Sequence, residues 1–204
     1  MSVTPPTRRR GRPAKFSAED VIRSALAAGI GSFTQSDVAL ELGVTVQSVY
    51  RRFPTRKLLL EACIDRALES VPPADSLDPA PGTWEEIIGT WEEIIGTCAD
   101  QWWALCLRYP GFTTVVTNYD GTLERFLDPA FNSYTGGLID LGWSRPQVRF
   151  AMSQIESAAA RVAHYLSQAV PQDEDALEDA SRQMRQATDF IVKGLSLSRP
   201  EWLL

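Results

Sequence analysis

The stretch LGVTVQSVYRRFP, residues 42–54, has a glycine and a threonine near its start and two arginines between aromatic residues near its end. Ala39 precedes it, Gly43 stands near its start, and Val49 follows six residues later. A helix-turn-helix needs a small residue where its helices cross, a glycine able to take a positive φ, and an apolar plug between the helices. The spacing therefore predicts two short helices joined by a tight turn, the second over residues 46–53.

This second helix combines two kinds of side chain, which predicts two kinds of DNA contact. Thr45 is expected to cap its N-terminus, where small polar groups can reach base edges in a major groove. Tyr50 and Arg51 suit the phosphates that flank the groove, and Arg56 and Lys57 would add further backbone contacts. Phe53 is expected in the core. The residues predicted to meet the bases are Thr45, Val46, Gln47 and Ser48, with Val46 suited to a thymine methyl.

Helix signals on both sides extend the predicted DNA-binding domain to residues 16–70. Ser17 and Asp20 have the spacing of a capping box at the start of a first helix, and Gly29 is placed to end it. A second helix is expected over roughly 35–42 and a linker helix over 55–70. No strand pattern occurs in the sequence, so the expected fold class is all-α, with about nine helices.

The segment ahead of these helices, residues 1–15, is a basic arm that we expect to be disordered by itself. It contains RRRGRPAKF, in which Arg10 and Arg12 flank a glycine and precede a proline. This core resembles an AT-hook, whose flat guanidiniums enter a narrow A·T-rich minor groove. The alternative is a solvated basic tail without a binding role.

The segment SDVALELGVTVQSVYRRFPTRKLLL, residues 36–60, is close to a pattern of Ile-Ala, Gly-Val-Ser/Thr, Leu-Tyr-x-x-Phe and a lysine before leucine. Together with the capped first helix, it resembles the tetracycline-repressor (TetR) family of one-component regulators. Val38 replaces the usual isoleucine, the connection GIGSFTQ is short, and Arg56 occupies the place of the family's lysine, with Lys57 beside it. The resemblance implies a homodimer formed by the last two long helices and a fourth helix that links an effector pocket to DNA.

A proline-rich linker, VPPADSLDPAPG over residues 71–82, separates this domain from a larger one at 83–204, which is expected to bind an effector and dimerise. The second domain opens with two identical heptads, TWEEIIG, at 83–89 and 90–96. Seven residues turn a helix by roughly 700°, so the repeat shifts its apolar stripe by only about 20°. We expect a long helix to about Tyr109 that either faces the core or forms a coiled-coil-like seam.

Aromatic residues are concentrated after this point, and with a few polar groups they could line an apolar pocket for a small hydrophobic or aromatic effector. Plain core packing is the alternative. The predicted pocket residues are Trp102, Trp103, Cys106, Phe112, Phe126, Phe131 and Tyr134.

The last two predicted helices carry apolar stripes rich in alanine, which would let them dock closely against a second copy. Ser144 and Gln147 form a capping box at the start of the first of them. An internal bundle is the alternative; a two-fold dimer would predict a pseudo-palindromic operator. The predicted dimer contacts are Ile155, Ala159, Val162, Leu166, Leu177, Met184 and Ile191.

The net charge of −6 is divided unevenly along the 204 residues. Residues 1–70 hold 11 Lys and Arg against 7 Asp and Glu, and the remainder holds 9 against 19. A basic N-terminal third attached to an acidic remainder suggests a separate surface for binding phosphate. An uneven scatter of solvated charges would give the same pattern. No apolar run is long enough to span a bilayer, so we expect a cytoplasmic protein, nucleoid-associated when bound to DNA, with no membrane partner.

Groups that signal catalysis are scarce in the sequence. The single histidine, His164, has no serine or cysteine nucleophile at a suggestive spacing, and the three cysteines lack C-x-x-C spacing and are expected in the core. We expect no enzyme activity, no cofactor and no metal. The resulting hypothesis is a repressor that binds double-stranded operator DNA as a homodimer and is released by a small molecule. The rivals are a ligand-independent regulator and a small-molecule-binding helical protein or enzyme with an incidental basic arm.

Overall fold

A computed structural model of the protein describes residues 16–72, 91–119, 124–168 and 173–197. These residues form nine α-helices and no strand, which confirms the all-α class. The helices are α1 (Ala18–Ala27), α2 (Gln35–Glu41), α3 (Val46–Tyr50), α4 (Arg56–Leu68), α5 (Trp91–Arg108), α6 (Phe112–Asn118), α7 (Glu124–Asp140), α8 (Arg145–Gln168) and α9 (Glu174–Leu197).

The first helices begin where side chains satisfy their free backbone N–H groups. The Ser17 hydroxyl accepts a hydrogen bond from the Asp20 N–H at 3.1 Å, and Asp20 accepts one from the Ser17 N–H at 2.8 Å. This confirms the predicted capping box. The same arrangement at Thr34 and Asp37 starts α2 and was not anticipated. As expected, α1 ends just before Gly29, whose φ is 98°.

In the N-terminal part of the chain, α1 packs on α4 and α2 packs on α3. The core between them is formed by small and branched side chains without solvent exposure, Val21, Ala25, Val38, Leu59 and Ile64. Leu58, in the first turn of α4, lies outside this core and is 46% exposed.

The larger part of the fold is arranged around α5. Its neighbours are α7, α8 and α9, and the last two also pack against each other along their lengths. The break between α5 and α6 comes at Pro110, as predicted, and Gly111 completes it with a φ of 88°. The predicted cap of α8 is confirmed, since the Ser144 N–H donates to Gln147 Oε1 at 2.8 Å.

Three predicted segments lie wholly or mainly outside the described residues. They are the basic arm at 1–15 with Arg10 and Arg12, the linker at 71–82 except for Val71 and Pro72, and the first heptad at 83–89. The second heptad is described from Trp91 and forms the start of α5, with Ile94 and Ile95 buried. None of the described helices combines the length and the apolar character required to cross a membrane.

Candidate nucleic-acid interface

The turn between α2 and α3 has the geometry that its residues predicted. Gly43 has a φ of 61°, and a Cβ at this position would meet nothing within 4 Å. The requirement for glycine is therefore one of backbone conformation and not of space. The Val44 N–H donates to the carbonyl of Ala39 at 2.9 Å, which closes the turn. Ala39 and Val49 are both buried, so α3 is anchored on its inner side.

The opposite side of α3 is open to solvent. Thr45, Gln47 and Arg51 are exposed, and Tyr50 is 47% exposed. Ser48 is half-buried. Val46 is also half-buried and packs against the core, so only part of its side chain could touch a thymine methyl. Four of the six residues predicted for the helix and its cap thus form one polar exposed surface, which we call the α3 surface: Thr45, Gln47, Tyr50 and Arg51.

Both ends of α3 differ from the prediction. Thr45 stands at the N-cap position, but its hydroxyl accepts no backbone hydrogen bond and lies 2.9 Å from the Ser48 hydroxyl instead. The helix ends at Tyr50 and not at Phe53. The Gln35 amide donates to the carbonyl of Phe53 at 2.6 Å, which holds this residue in the turn that leads to α4. Phe53 is half-buried and packs against the core, as expected.

Arg56 is engaged within the protein. Its Nε donates to the carbonyl of Phe33 at 3.2 Å, its Nη2 donates to the carbonyl of Gly31 at 3.0 Å, and its guanidinium lies 4.9 Å from the centre of the Phe33 ring. The side chain predicted to contact DNA phosphate therefore fastens the α1–α2 loop to the start of α4. Lys57 places its ammonium 5.4 Å from the centre of the Tyr119 ring, toward the larger part of the fold.

Arg52 was not singled out in the sequence, yet it lies beside the α3 surface. Its Nη2 approaches the carbonyl of Phe16 at 3.5 Å, and its guanidinium lies 5.9 Å from the centre of the Phe16 ring. Phe16 is the first described residue after the basic arm. The arm consequently joins the fold next to the C-terminal end of α3. The signal available in the sequence was the RR pair after Tyr50.

The aromatic residues predicted to line an effector pocket pack on one another. The rings of Trp102 and Phe131 are stacked, with centres 5.2 Å apart and an interplanar angle of 5°. The ring centre of Phe112 lies 6.0 Å from that of Trp102, and the ring centre of Tyr134 lies 6.0 Å from that of Phe131. All four are nearly fully buried, with Trp102 only 2% exposed. We call these four buried, mutually contacting rings the aromatic cluster.

Two further residues predicted for the pocket, Trp103 and Cys106, are also buried. Trp103 is buried and its indole N–H donates to the Ser181 hydroxyl at 3.1 Å, which links α5 to α9. Burial raises the pKa of the Cys106 thiol to about 12. Cys63 and Cys98 are likewise buried, as expected for core cysteines. The side chain of Phe126 lies outside the described residues.

A cavity of about 340 Å³ lies elsewhere, between the α1–α2 loop, the start of α4 and α6. We call it the junction cavity. Arg56 and Lys57 line it, whereas the described members of the predicted effector pocket do not. The other described lining residues are Gly31, Leu60, Thr114, Val115, Asn118 and Tyr119.

The predicted dimer contacts divide into two groups. Ile155, Ala159, Val162 and Met184 are buried inside the single chain, where α8 packs on α5 and α9. Side chains buried to this degree offer little surface to a second copy, and in the single chain they pack between helices. Leu166, Leu177 and Ile191 keep exposed area, and Leu177 is 41% exposed.

In the part of the chain that the structure describes, no group of three or more His, Cys, Asp or Glu side chains is placed to hold a metal ion. His164 is exposed on α8. Comparison of the chain with models of known protein families finds no match, and comparison with curated proteins finds none either.

Proposed function

We propose that the protein is a homodimeric one-component transcriptional regulator that inserts α3 into the major groove of a pseudo-palindromic operator. The observation that carries this proposal is the two-sided character of α3. Val49 is completely buried, while Gln47, Tyr50 and Arg51 point to solvent from a helix that follows a tight glycine turn. A helix held on one side and polar on the other can present side chains to base edges.

The point at which the described chain begins supports the same function. The sequence of the basic arm leads into Phe16, whose carbonyl accepts a hydrogen bond from Arg52, two residues after α3. An arm that starts there can follow the DNA backbone from the major groove into the neighbouring minor groove, where arginines favour narrow A·T-rich sequence. The resemblance of residues 17–60 to the TetR family points in the same direction and favours a repressor.

Dimerisation through α8 and α9 is the second element of the proposal. Apolar or aromatic side chains stand exposed on these helices, namely Tyr165, Leu177 and Phe190, and Phe190 is 78% exposed. Exposed large apolar side chains on neighbouring helices suit a protein interface. Two-fold symmetry would then repeat the α3 surface about one DNA turn away.

The test begins with selection of genomic fragments that the purified protein retains, followed by gel-shift titration on the recovered sequence. Specific binding is expected to survive excess random competitor and to weaken steeply with salt, because released counterions drive phosphate contacts. Absence of preference for any sequence over random competitor would overturn the proposal.

Three variants assign the contacts on the α3 surface. Gln47→Ala should change the preferred base at one position, at a cost of about 1–3 kcal/mol for the original operator. Arg51→Ala should weaken all sequences alike and reduce the salt slope by about 1. Arg149→Ala is the matched control, because it removes an exposed arginine from α8 and should leave both properties unchanged.

Release by a small molecule is the third element, and a ligand-independent regulator is the second candidate. The candidate without an effector is supported by the near-complete burial of the aromatic cluster, which leaves these four side chains little surface for an effector. Titration of the protein–operator complex with small molecules separates the two, because a true effector lowers operator affinity by a saturable factor.

A further inference from the structure

The junction cavity lies where the helices α1–α4 meet the rest of the fold. Two glycines bring the backbones together at its edge: a Cβ added to Gly111 would lie 3.4 Å from the backbone nitrogen of Gly31. One wall is formed by α4 and the α1–α2 loop, and the other by α6. A molecule in this cavity would touch both parts of the protein at once.

Positive charge dominates the lining residues of the cavity. Arg56 directs two hydrogen bonds to the carbonyls of Phe33 and Gly31, which carry no formal charge. Lys57 adds a second cation at the wall. Among the described residues, Glu61 on α4 lies beside the cavity, and its carboxylate accepts a hydrogen bond from the Tyr119 hydroxyl. In the part of the chain that the structure describes, the two lining cations and this one carboxylate favour a ligand with a single negative charge.

The rest of the lining is partly apolar. Leu60, Val115 and the Tyr119 ring offer hydrocarbon and aromatic surface, and Thr114 and Asn118 supply polar groups at the α6 side. The Asn118 amide donates to the Thr114 carbonyl at 2.8 Å, which fixes its orientation. A volume of about 340 Å³ is at the small end of the range for ligand sites. Inorganic phosphate would leave the apolar wall unused.

We propose that the junction cavity binds a small organic carboxylate, with its charge on Arg56 and Lys57 and its apolar part on Leu60, Val115 and Tyr119. This assigns a ligand class and a site that differ from the aromatic cluster. Arg56 and Lys57 thereby serve a small anion and not the DNA backbone.

Regulation follows from the position of the site, and this part of the inference rests on the proposed function. The loop held by Arg56 leads through Phe33 directly into α2, which carries the turn and α3. A carboxylate bound between this loop and α6 favours one orientation of α2 and α3. Because coupling is reciprocal, the carboxylate must change operator affinity by the same factor as the operator changes carboxylate affinity.

The first experiment uses the DNA-free, full-length protein and three probes: benzoate, its uncharged analogue benzamide, and inorganic phosphate. Binding is followed by backbone amide NMR shifts of Gly31, Thr114 and Asn118, which line the cavity. Benzoate is expected to shift these amides saturably, with smaller or no shifts from benzamide and from phosphate. Equal shifts from benzamide, or benzoate shifts located elsewhere, would overturn the site.

Lysine variants then test the charge. Lys57→Gln should weaken benzoate binding about fivefold, since a partly solvated ion pair contributes up to about 1 kcal/mol. Lys57→Arg should retain binding. Lys193→Gln is the matched control, because it removes an exposed lysine from α9, away from the cavity. Equal losses in Lys57→Gln and Lys193→Gln would refute a local contact.

The two proposals fail separately. If the protein binds benzoate but prefers no DNA sequence, the carboxylate site is supported and the proposed regulator function is refuted. If the protein binds DNA specifically but benzoate does not shift the cavity amides, the regulator function is supported and the carboxylate site is refuted.

Discussion

The α3 surface and the aromatic cluster were both predicted from residue types, but they differ in how the fold uses them. At the α3 surface, polar side chains stand outside a helix whose inner residue, Val49, is buried. In the aromatic cluster, side chains that were candidates for binding a ligand bind each other, as in the stacked pair of Trp102 and Phe131. Spacing over a few residues decides which side of a short helix faces out. Composition alone does not decide whether aromatic rings enclose a cavity or fill one.

The largest expected effect on stability comes from removing a ring of the aromatic cluster. Trp102→Ala should lower the free energy of unfolding by about 3–5 kcal/mol, because it deletes a large, fully packed side chain. Urea titration followed by circular dichroism measures the change.

Phe190→Ala is the control for this loss, as it removes an exposed ring from α9 and should cost less than about 0.5 kcal/mol in a monomeric preparation. A loss in Trp102→Ala as small as that of the control would mean that Trp102 borders open space, and the cluster would again be a candidate pocket.

The turn that orients the α3 surface is the next target. Gly43→Ala should lower the free energy of unfolding by about 1–2 kcal/mol, since an L-residue is disfavoured at the left-handed φ of 61°. Gly43→Asn should cost less, because asparagine tolerates this conformation. The two variants share free space around the new Cβ, so an equal loss in both would show that conformation is not the constraint.

Two threonines at N-cap positions distinguish a polar group that stabilises the fold from one that is exposed for binding. Thr34→Ala should lower the free energy of unfolding by about 1 kcal/mol, because the Thr34 hydroxyl accepts the Asp37 N–H at 3.1 Å. Thr45→Ala loses no such bond and should stay within about 0.5 kcal/mol while reducing operator affinity. Unfolding and gel-shift titrations of both variants separate the roles, and the opposite pattern would place the structural cap at α3.

The smallest effect concerns the cap of α1. Hydrogen bonds from the backbone and then the side chain of Ser17 lower the pKa of Asp20 below its ordinary value of 3.8. A carboxyl whose folded-state pKa is lowered adds stability above its unfolded pKa and loses it as the pH falls through the folded value. Ser17→Ala removes the side-chain bond, so carboxyl NMR titration should show the Asp20 pKa rising toward 3.8. An unchanged pKa would mean that the Ser17 backbone hydrogen bond and Arg23 lower the Asp20 pKa without help from the hydroxyl.

Local signals predicted much of this fold. The capping boxes at Ser17 and Ser144, the turn at Gly43 and the plug at Val49 each depend on residues less than about ten positions apart. The role of Arg56 depends on the carbonyls of Phe33 and Gly31, which are 23 and 25 residues away in the chain. The junction cavity likewise requires α6 to meet α4, a contact between distant segments. Sequence periodicity carries no information about contacts between distant segments, so the sequence could not place Arg56 and Lys57 at the junction cavity.

Because Gly31 and Gly111 approach closely, substitutions at Gly31 can change the distance between the α1–α2 loop and α6 in small steps. A Cβ on Gly31 would lie 3.6 Å from the Gly111 oxygen and 3.7 Å from Val115 Cγ2, which is ordinary van der Waals contact. Alanine fits there with little displacement, whereas serine, valine and leucine would act as successively thicker wedges. Such a series at position 31 would move the α1–α2 loop away from α6 by increasing distances. The side chains of α3 would stay unchanged. The spacing between these two segments thus becomes a variable that an experimenter can set.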